Sequence, residues 1–251
     1  MKILKILFVI SLLAVILFPQ AAPAMGLEVA AGAWVESPGG DMAYKGNSLS
    51  VDNDLNYTNK ARFYGRAKID MPLIIPNIYL MATPMSFDGA GSKNAGFTFG
   101  DKTYTASVPF TSELRLDQYD IGFYYGVPFL KTATLGKLNL DAGLNIRIMD
   151  FSAEVTQGAL KESANLTFPV PMGYLGAQFK PIKKLAVEAE VRAIAYDTNH
   201  YYDFIGRVKY KFLKLLFVGA GYRYEDIKID KSNIVANLNF SGPFAEAGVE
   251  F

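Results

Sequence analysis

Apolar side chains recur at every second position from Leu27 onward, in segments that commonly run ten residues or more. That period places them on one face of an extended strand and leaves no room for the three-to-four spacing of an amphipathic helix. Strands of soluble domains average about five or six residues, so segments this long call for a different setting. In Leu138 to Ile148, for example, Leu138, Leu140, Ala142, Leu144, Ile146 and Ile148 fall on one face, and Asn139, Asp141, Gly143, Asn145 and Arg147 on the other. One face suits lipid and the other water.

The same division recurs along the chain. Leu185, Val187, Ala189, Val191, Ala193 and Ala195 oppose the charged series Glu188, Glu190 and Arg192. Phe63, Gly65, Ala67, Ile69 and Met71 oppose Arg66, Lys68 and Asp70, and the aromatic run Tyr119 to Tyr125 interleaves with Asp120, Gly122 and Tyr124. A soluble sandwich would cover the apolar face with a second sheet. A closed antiparallel transmembrane β-barrel turns it to acyl chains and faces its lumen with the polar residues. The alternation predicts ten strands, with eight as the alternative: Leu27–Glu36, Lys60–Met71, Ile78–Phe87 interrupted by Pro84, Glu113–Val127, Lys137–Ala153, Asn165–Lys180, Leu185–Tyr196, Tyr201–Phe212, Leu216–Ile229 and Leu238–Phe251.

The connections fit that layout. Short links at Pro72–Asn77, Pro181–Lys184 and Leu213–Leu215, and a longer one at Pro128–Gly136, are expected on the periplasmic side. The long stretches Ser37–Asn59 and Asp88–Ser112, rich in Gly, Ser, Asn and Asp, are expected as extracellular loops, with a tight turn at Asp197–His200 as the exception. Aromatic residues near strand ends, among them Tyr57, Phe63, Tyr196, Tyr201, Tyr202, Phe204, Tyr210, Phe212, Tyr222 and Tyr224, are expected to form girdles at the two interfaces.

The first segment has Lys2 and Lys5, an apolar stretch from Ile6 to Phe18, and the small-residue pattern Ala22-Pro23-Ala24. This is the layout of a secretory signal, which predicts residues 1–24 as a removable export segment and residues 25–251 as the barrel. The absence of cysteine excludes disulfides, thiolate metal sites and a lipidated N-terminus. The formal charge of +1 becomes −1 without Lys2 and Lys5, so no charge bias points to nucleic acid.

The last strand alternates Ala245, Ala247, Val249 and Phe251 with Phe244, Glu246, Gly248 and Glu250. It resembles the assembly signal of bacterial outer-membrane proteins, in which a terminal Phe, here Phe251, closes an amphipathic strand read by the barrel-assembly machinery. The opening strand, Gly26 through Ala31-Gly32-Ala33-Trp34, followed by Pro38-Gly39-Gly40, is similar to that of an uncharacterised outer-membrane family with a Gly-Ala-Trp strand. That resemblance implies a barrel in the outer membrane and no defined activity.

Two constellations bear on chemistry. The sole histidine, His200, lies near Asp197 and Asp203, and an Asp/His pair can activate water. Omptin-like proteases pair their His with an Asp two positions earlier, where this chain has Thr198; lipid-A-deacylase-like barrels need a His and Ser arrangement, and His200 is followed by Tyr201 and Tyr202. The surface-hydrolase reading is therefore the alternative, and the chain is expected not to be an enzyme. The second constellation is the lumen-lining charged set Arg66, Lys68, Asp70, Asp141, Arg147, Glu188, Glu190, Arg192, Arg207, Lys209 and Arg223. It could bias a narrow aqueous path or, in so small a barrel, fill the lumen by mutual pairing. Asp52-Asn53-Asp54 lacks the Gly and terminal Glu of a calcium loop and reads as loop polarity. The expectation is a monomeric outer-membrane barrel with a structural or narrow-pore role, loops for ligand or partner contact, and no cofactor or metal. Its partners would be membrane lipid and the assembly machinery.

Overall fold

The computed structural model describes residues 26–72 and 74–251, so the expected export segment lies outside the described residues. The strands are β1 (Gly26–Tyr44), β2 (Leu49–Ser50), β3 (Lys60–Asp70), β4 (Asn77–Thr83), β5 (Ser86–Gly91), β6 (Phe97–Phe99), β7 (Lys102–Tyr104), β8 (Phe110–Gly126), β9 (Leu138–Gln157), β10 (Leu160–Ile182), β11 (Leu185–Tyr196), β12 (Asn199–Lys211), β13 (Leu216–Lys231) and β14 (Ile234–Glu250), with one helical turn, α1 (Leu130–Ala133). β4 and β5 act as one stave along β8, in unbroken register from Thr83↔Gln118 to Ser86↔Arg115. Pro84 has no N–H to give to that ladder, and the carbonyl of Met85 accepts from the Leu116 N–H at 2.9 Å. Ten antiparallel staves thus follow one another in chain order, and β1 pairs with β14 from Glu28↔Glu250 to Tyr44↔Ile234 to close the barrel.

The facing of the side chains inverts partway up the wall. On β9 the outward residues Leu140, Leu144 and Ile146 are exposed and apolar, and the inward Asn145 and Arg147 are buried and polar. Beyond Ile148 the outward residues are Asp150, Ser152, Glu154 and Thr156, and the buried inward ones are Met149, Phe151, Ala153 and Val155. β8 and β13 do the same. Tyr125, Phe123 and Ile121 give way outside to Arg115 and Glu113, while Leu116 and Leu114 appear inside; Val218, Tyr222 and Tyr224 give way to Asp226 and Lys228, while Ile227 appears inside. Apolar-out, polar-in is the solution for lipid. The reverse is the solution for water, so the staves cross the membrane and continue beyond it as the wall of an extracellular cup.

The cup corrects the expected loops. β9 and β10 are joined directly through residues 158–159, and β13 and β14 through residues 232–233, where Ser232 and Asn233 both take positive φ (56° and 64°), as a two-residue hairpin of matching twist requires. The tight Asp197 turn is therefore one of three. The stretches expected as exposed loops fold inward: Leu49, Val51, Leu55 and Tyr57 from the first, and Phe97, Phe99 and Tyr104 from the second, are buried. Phe97 stacks on Tyr104 at 4.9 Å, Phe87 on Phe240 at 5.5 Å, and the Tyr104 hydroxyl donates to the Val155 carbonyl at 3.0 Å. Each such ring contributes about 1.5–3 kcal/mol by leaving water. Tyr57 belongs to this core, and Tyr201 and Tyr124 point into the lumen, so none of the three joins a girdle. The loop acid Asp54 holds Lys93 at 2.7 Å.

Candidate functional site

Inside the membrane-spanning part the lumen is filled by charge. Arg147, from β9, uses all five of its donors. Nε and Nη2 grip Asp120 at 2.9 Å each, Nη2 also donates to Asp203 at 2.5 Å, and Nη1 donates to Glu225 at 3.1 Å and to the Tyr201 hydroxyl at 2.6 Å. Its partners come from β8, β12 and β13, so one side chain ties four staves across the bore. Arg223 shares Asp203 (3.0 and 2.9 Å) and Glu225 (2.5 Å), and reaches Thr83 (3.0 Å) and Gln118 (3.3 Å) on the opposite wall. Arg223 also sits 4.7 Å from the Trp34 ring, and Arg192 sits 4.6 Å from that of Tyr79.

A second storey lies toward the periplasm. Arg66 holds Glu246 at 3.0 and 2.6 Å and Glu28 at 2.6 Å. Arg207 bridges Glu188 (3.2 Å) and Glu190 (3.1 Å); Lys68 reaches Glu190 at 2.7 Å; Lys209 holds Glu28 at 2.6 Å and Glu188 at 3.0 Å. Arg192 joins the storeys through Glu190 (3.0 Å) and Asp203 (3.5 Å). Seven cations therefore meet seven carboxylates (Glu28, Asp120, Glu188, Glu190, Asp203, Glu225 and Glu246) in ion pairs, while Glu36 of β1, buried beside this network, has no hydrogen-bond partner on either carboxyl oxygen.

Of the sequence-derived lumen set, Arg66, Lys68, Arg147, Glu188, Glu190, Arg192, Arg207, Lys209 and Arg223 come together in this network. Asp70 and Asp141 stand apart, in a polar vestibule of about 290 Å³ at the periplasmic mouth, where Asn139 donates to Asp141 at 2.8 Å. Phe251 borders the same vestibule, its N–H donating to the Leu27 carbonyl at 2.8 Å. The acids Glu28, Asp120, Glu225 and Glu246 were not singled out from sequence. The signal was available, because each shares strand parity with an inward neighbour, Glu225 with Arg223 and Asp120 with Gly122. The His200 constellation separates: Asp203 points into the lumen toward Arg147 and Arg223, whereas His200 faces outward, stacked on Tyr202 at 4.9 Å and 3.4 Å from Asp226. Adjacent parity puts the wall of the barrel between the two.

A closed barrel with a lipid-facing apolar belt and a polar interior of largely paired charges meets the demands of a bilayer on a β-protein. The chain is an integral outer-membrane β-barrel.

No family model and no curated protein matches the sequence. Among solved structures, the translocator domain of the autotransporter NalP from Neisseria meningitidis is 14% identical, with 93% of this chain and 90% of that one covered and a TM-score of 0.45. Ail, the attachment invasion locus protein of Yersinia pestis, is 8% identical over 90% of this chain and 99% of its own, with a TM-score of 0.39. Neisserial surface protein A is 13% identical over 92% and 100%, with a TM-score of 0.35. At these values the closed register of this barrel, and not the likeness, carries the assignment of fold.

Proposed function

We propose that the protein is a sealed, monomeric membrane anchor whose working end is the extracellular cup, and that it conducts neither ions nor solutes. The observation that carries this reading is the Arg147 cluster, which spans the bore with fully buried, mutually satisfied charges. Passage of an ion would require parting several charge-assisted hydrogen bonds in a low-dielectric interior, each worth more than its neutral counterpart. Planar-bilayer recording of the purified barrel tests it: the expected trace is flat, and reproducible conductance steps from the wild-type protein would overturn the reading. Membrane lipid and the barrel-assembly machinery are the partners this role calls for, and the Gly-Ala-Trp opening strand supports placement beside the outer-membrane family that shares it. A hydrolytic role loses support from the outward turn of His200 away from Asp203.

A further inference from the structure

The wall of the cup has a gap. β11 and β12 turn back at residues 197–198, near the membrane surface, while β10 and β13 on either side continue outward. β10 pairs with β11 only from Gly173 toward the periplasm, and β13 pairs with β12 no further out than Lys228↔His200. Beyond those points β10 is no longer paired with β11, the short tip of the β11–β12 hairpin (Ile194–Tyr196 and Asn199–His200) forms the floor, and above it Phe168 of β10 meets Lys231 of β13 with no paired strand between them. A cavity of about 190 Å³ occupies this space, walled by Phe168, Val170, Ile194 and Ile229. Phe168 and Ile229 also border a smaller void of about 20 Å³ deeper in, among Leu166, Phe151 and Leu238. We propose that this gap is a lateral binding site for one alkyl chain bearing an anionic head, a long-chain carboxylate, which enters sideways from the membrane.

Three further observations support an entry designed to stay open. Residues of a paired strand direct their N–H groups alternately to the two neighbours. Lys180 donates to Lys137 beside β9 at 2.7 Å, and the β9–β10 register is continuous from there, so odd-numbered positions of β10 direct theirs toward the gap. Positions 169 and 171 are prolines, which have no N–H. The edge of β10 thereby loses the donors through which another strand would zip it closed.

The level of the mouth also fits. Pro169 and Pro171 lie across from Ile148 and Ile146 of β9, at the top of the lipid-facing belt, so an acyl-length chain dissolved in the membrane meets the opening directly. Charge completes the match. Lys231 spans the gap with its ammonium 5.5 Å from the Phe168 ring, and Lys228 stands beside it. Among the described residues neither is in an ion pair; Asp230, whose backbone N–H donates to Asn199 at 2.6 Å, borders the same cavity, and Asp226 lies 3.4 Å from His200 outside it. An apolar slot whose rim carries two ammonium groups against the single carboxylate of Asp230 keeps a net positive edge, which suits a chain inside and a carboxylate at the door.

The site deepens the role given to the cup, and the two fail separately, because binding is read independently of conductance. The probe is palmitate carrying a diazirine near its methyl end, photolysed with the purified barrel in detergent and mapped by mass spectrometry. Saturable labelling of Phe168, Val170 or Ile229 at one per barrel, competed by palmitate and at least tenfold less by hexadecanol, is expected. Val170→Trp should reduce that labelling at least tenfold while the heat-dependent gel shift persists. Lys228→Gln with Lys231→Gln should abolish the preference for the carboxylate over the alcohol. As a test within one folded protein, Phe168→Cys with Lys231→Cys can be bridged by a bis-maleimide, since no other cysteine exists; bridging should block labelling. Labelling confined to belt residues such as Leu144 and Val218, or unchanged by bridging, would overturn the proposal. Equal capture of a phospholipid bearing the same diazirine would overturn the single-chain assignment.

Discussion

At the scale of residues, the network makes unequal demands. Arg147→Met leaves Asp120, Asp203 and Glu225 without their shared cation in a buried setting, so stability should fall by about 3–5 kcal/mol. The urea midpoint of the heat-dependent mobility shift checks this. Glycines differ just as sharply. A Cβ on Gly221 would overlap the Gly206 carbonyl and press on the Phe244 ring, while one on Gly206 meets nothing within 4 Å. Gly221→Ala should therefore lower the yield of folded barrel and Gly206→Ala leave it unchanged, measured side by side on the same gel. The bases of the lumen were legible in the sequence because parity alone puts Arg66, Arg207 and Arg223 inside. Their acids were legible by the same rule but dispersed over six strands, and only the closed barrel brings Glu28 of β1 to Lys209 of β12. The partner of His200 was not legible, since Asp226 lies on another strand and depends on register.

At the scale of elements, the inversion of facing decides what a substitution does. Leu144→Arg, in the middle of the β9 belt, should cost about 2–4 kcal/mol, whereas Ser152→Arg, on the same face eight residues outward, should stay within about 0.5 kcal/mol because that position meets water. Equilibrium unfolding of both variants in one lipid composition makes the comparison. The same inversion explains where sequence reading stopped. Ten staves, their order and most periplasmic turns followed from alternation of one sign. Past Ile148 the period stays at two but its sign flips, and the outermost tips, 37–44 of β1, 154–157 of β9, 160–164 of β10, 230–231 of β13 and 234–237 of β14, were taken for connections. Composition rich in Gly, Ser, Asn and Asp likewise suggested solvent for Ser37–Asn59 and Asp88–Ser112, although Leu49, Val51, Leu55, Phe97 and Phe99 within them are buried in the cup.

At the scale of the whole molecule, a membrane-spanning cylinder filled with charge carries an extracellular cup filled with hydrocarbon. The two cores should fail independently. Replacing residues 95–106, which hold the β6–β7 hairpin, with a short Gly-Ser linker removes Phe97, Phe99 and Tyr104 from above Phe110 and Val155. The barrel should still shift on heating, and binding of an apolar fluorescent dye to the exposed cup should rise, which titration of the dye against both proteins would measure. The pairing of β1 with β14 has a consequence in time. Every other strand pairing of the barrel wall joins staves that follow one another in sequence, but this one closes a ring of nearly the whole chain, and Trp34 Nε1 reaches across it to the Gly242 carbonyl at 3.1 Å, 208 residues away. Contacts so distant along the chain form late and slowly. The only tryptophan is thus a clock for closure: until its indole finds Gly242, two unsatisfied edges remain and the protein is a ribbon still searching for its own beginning.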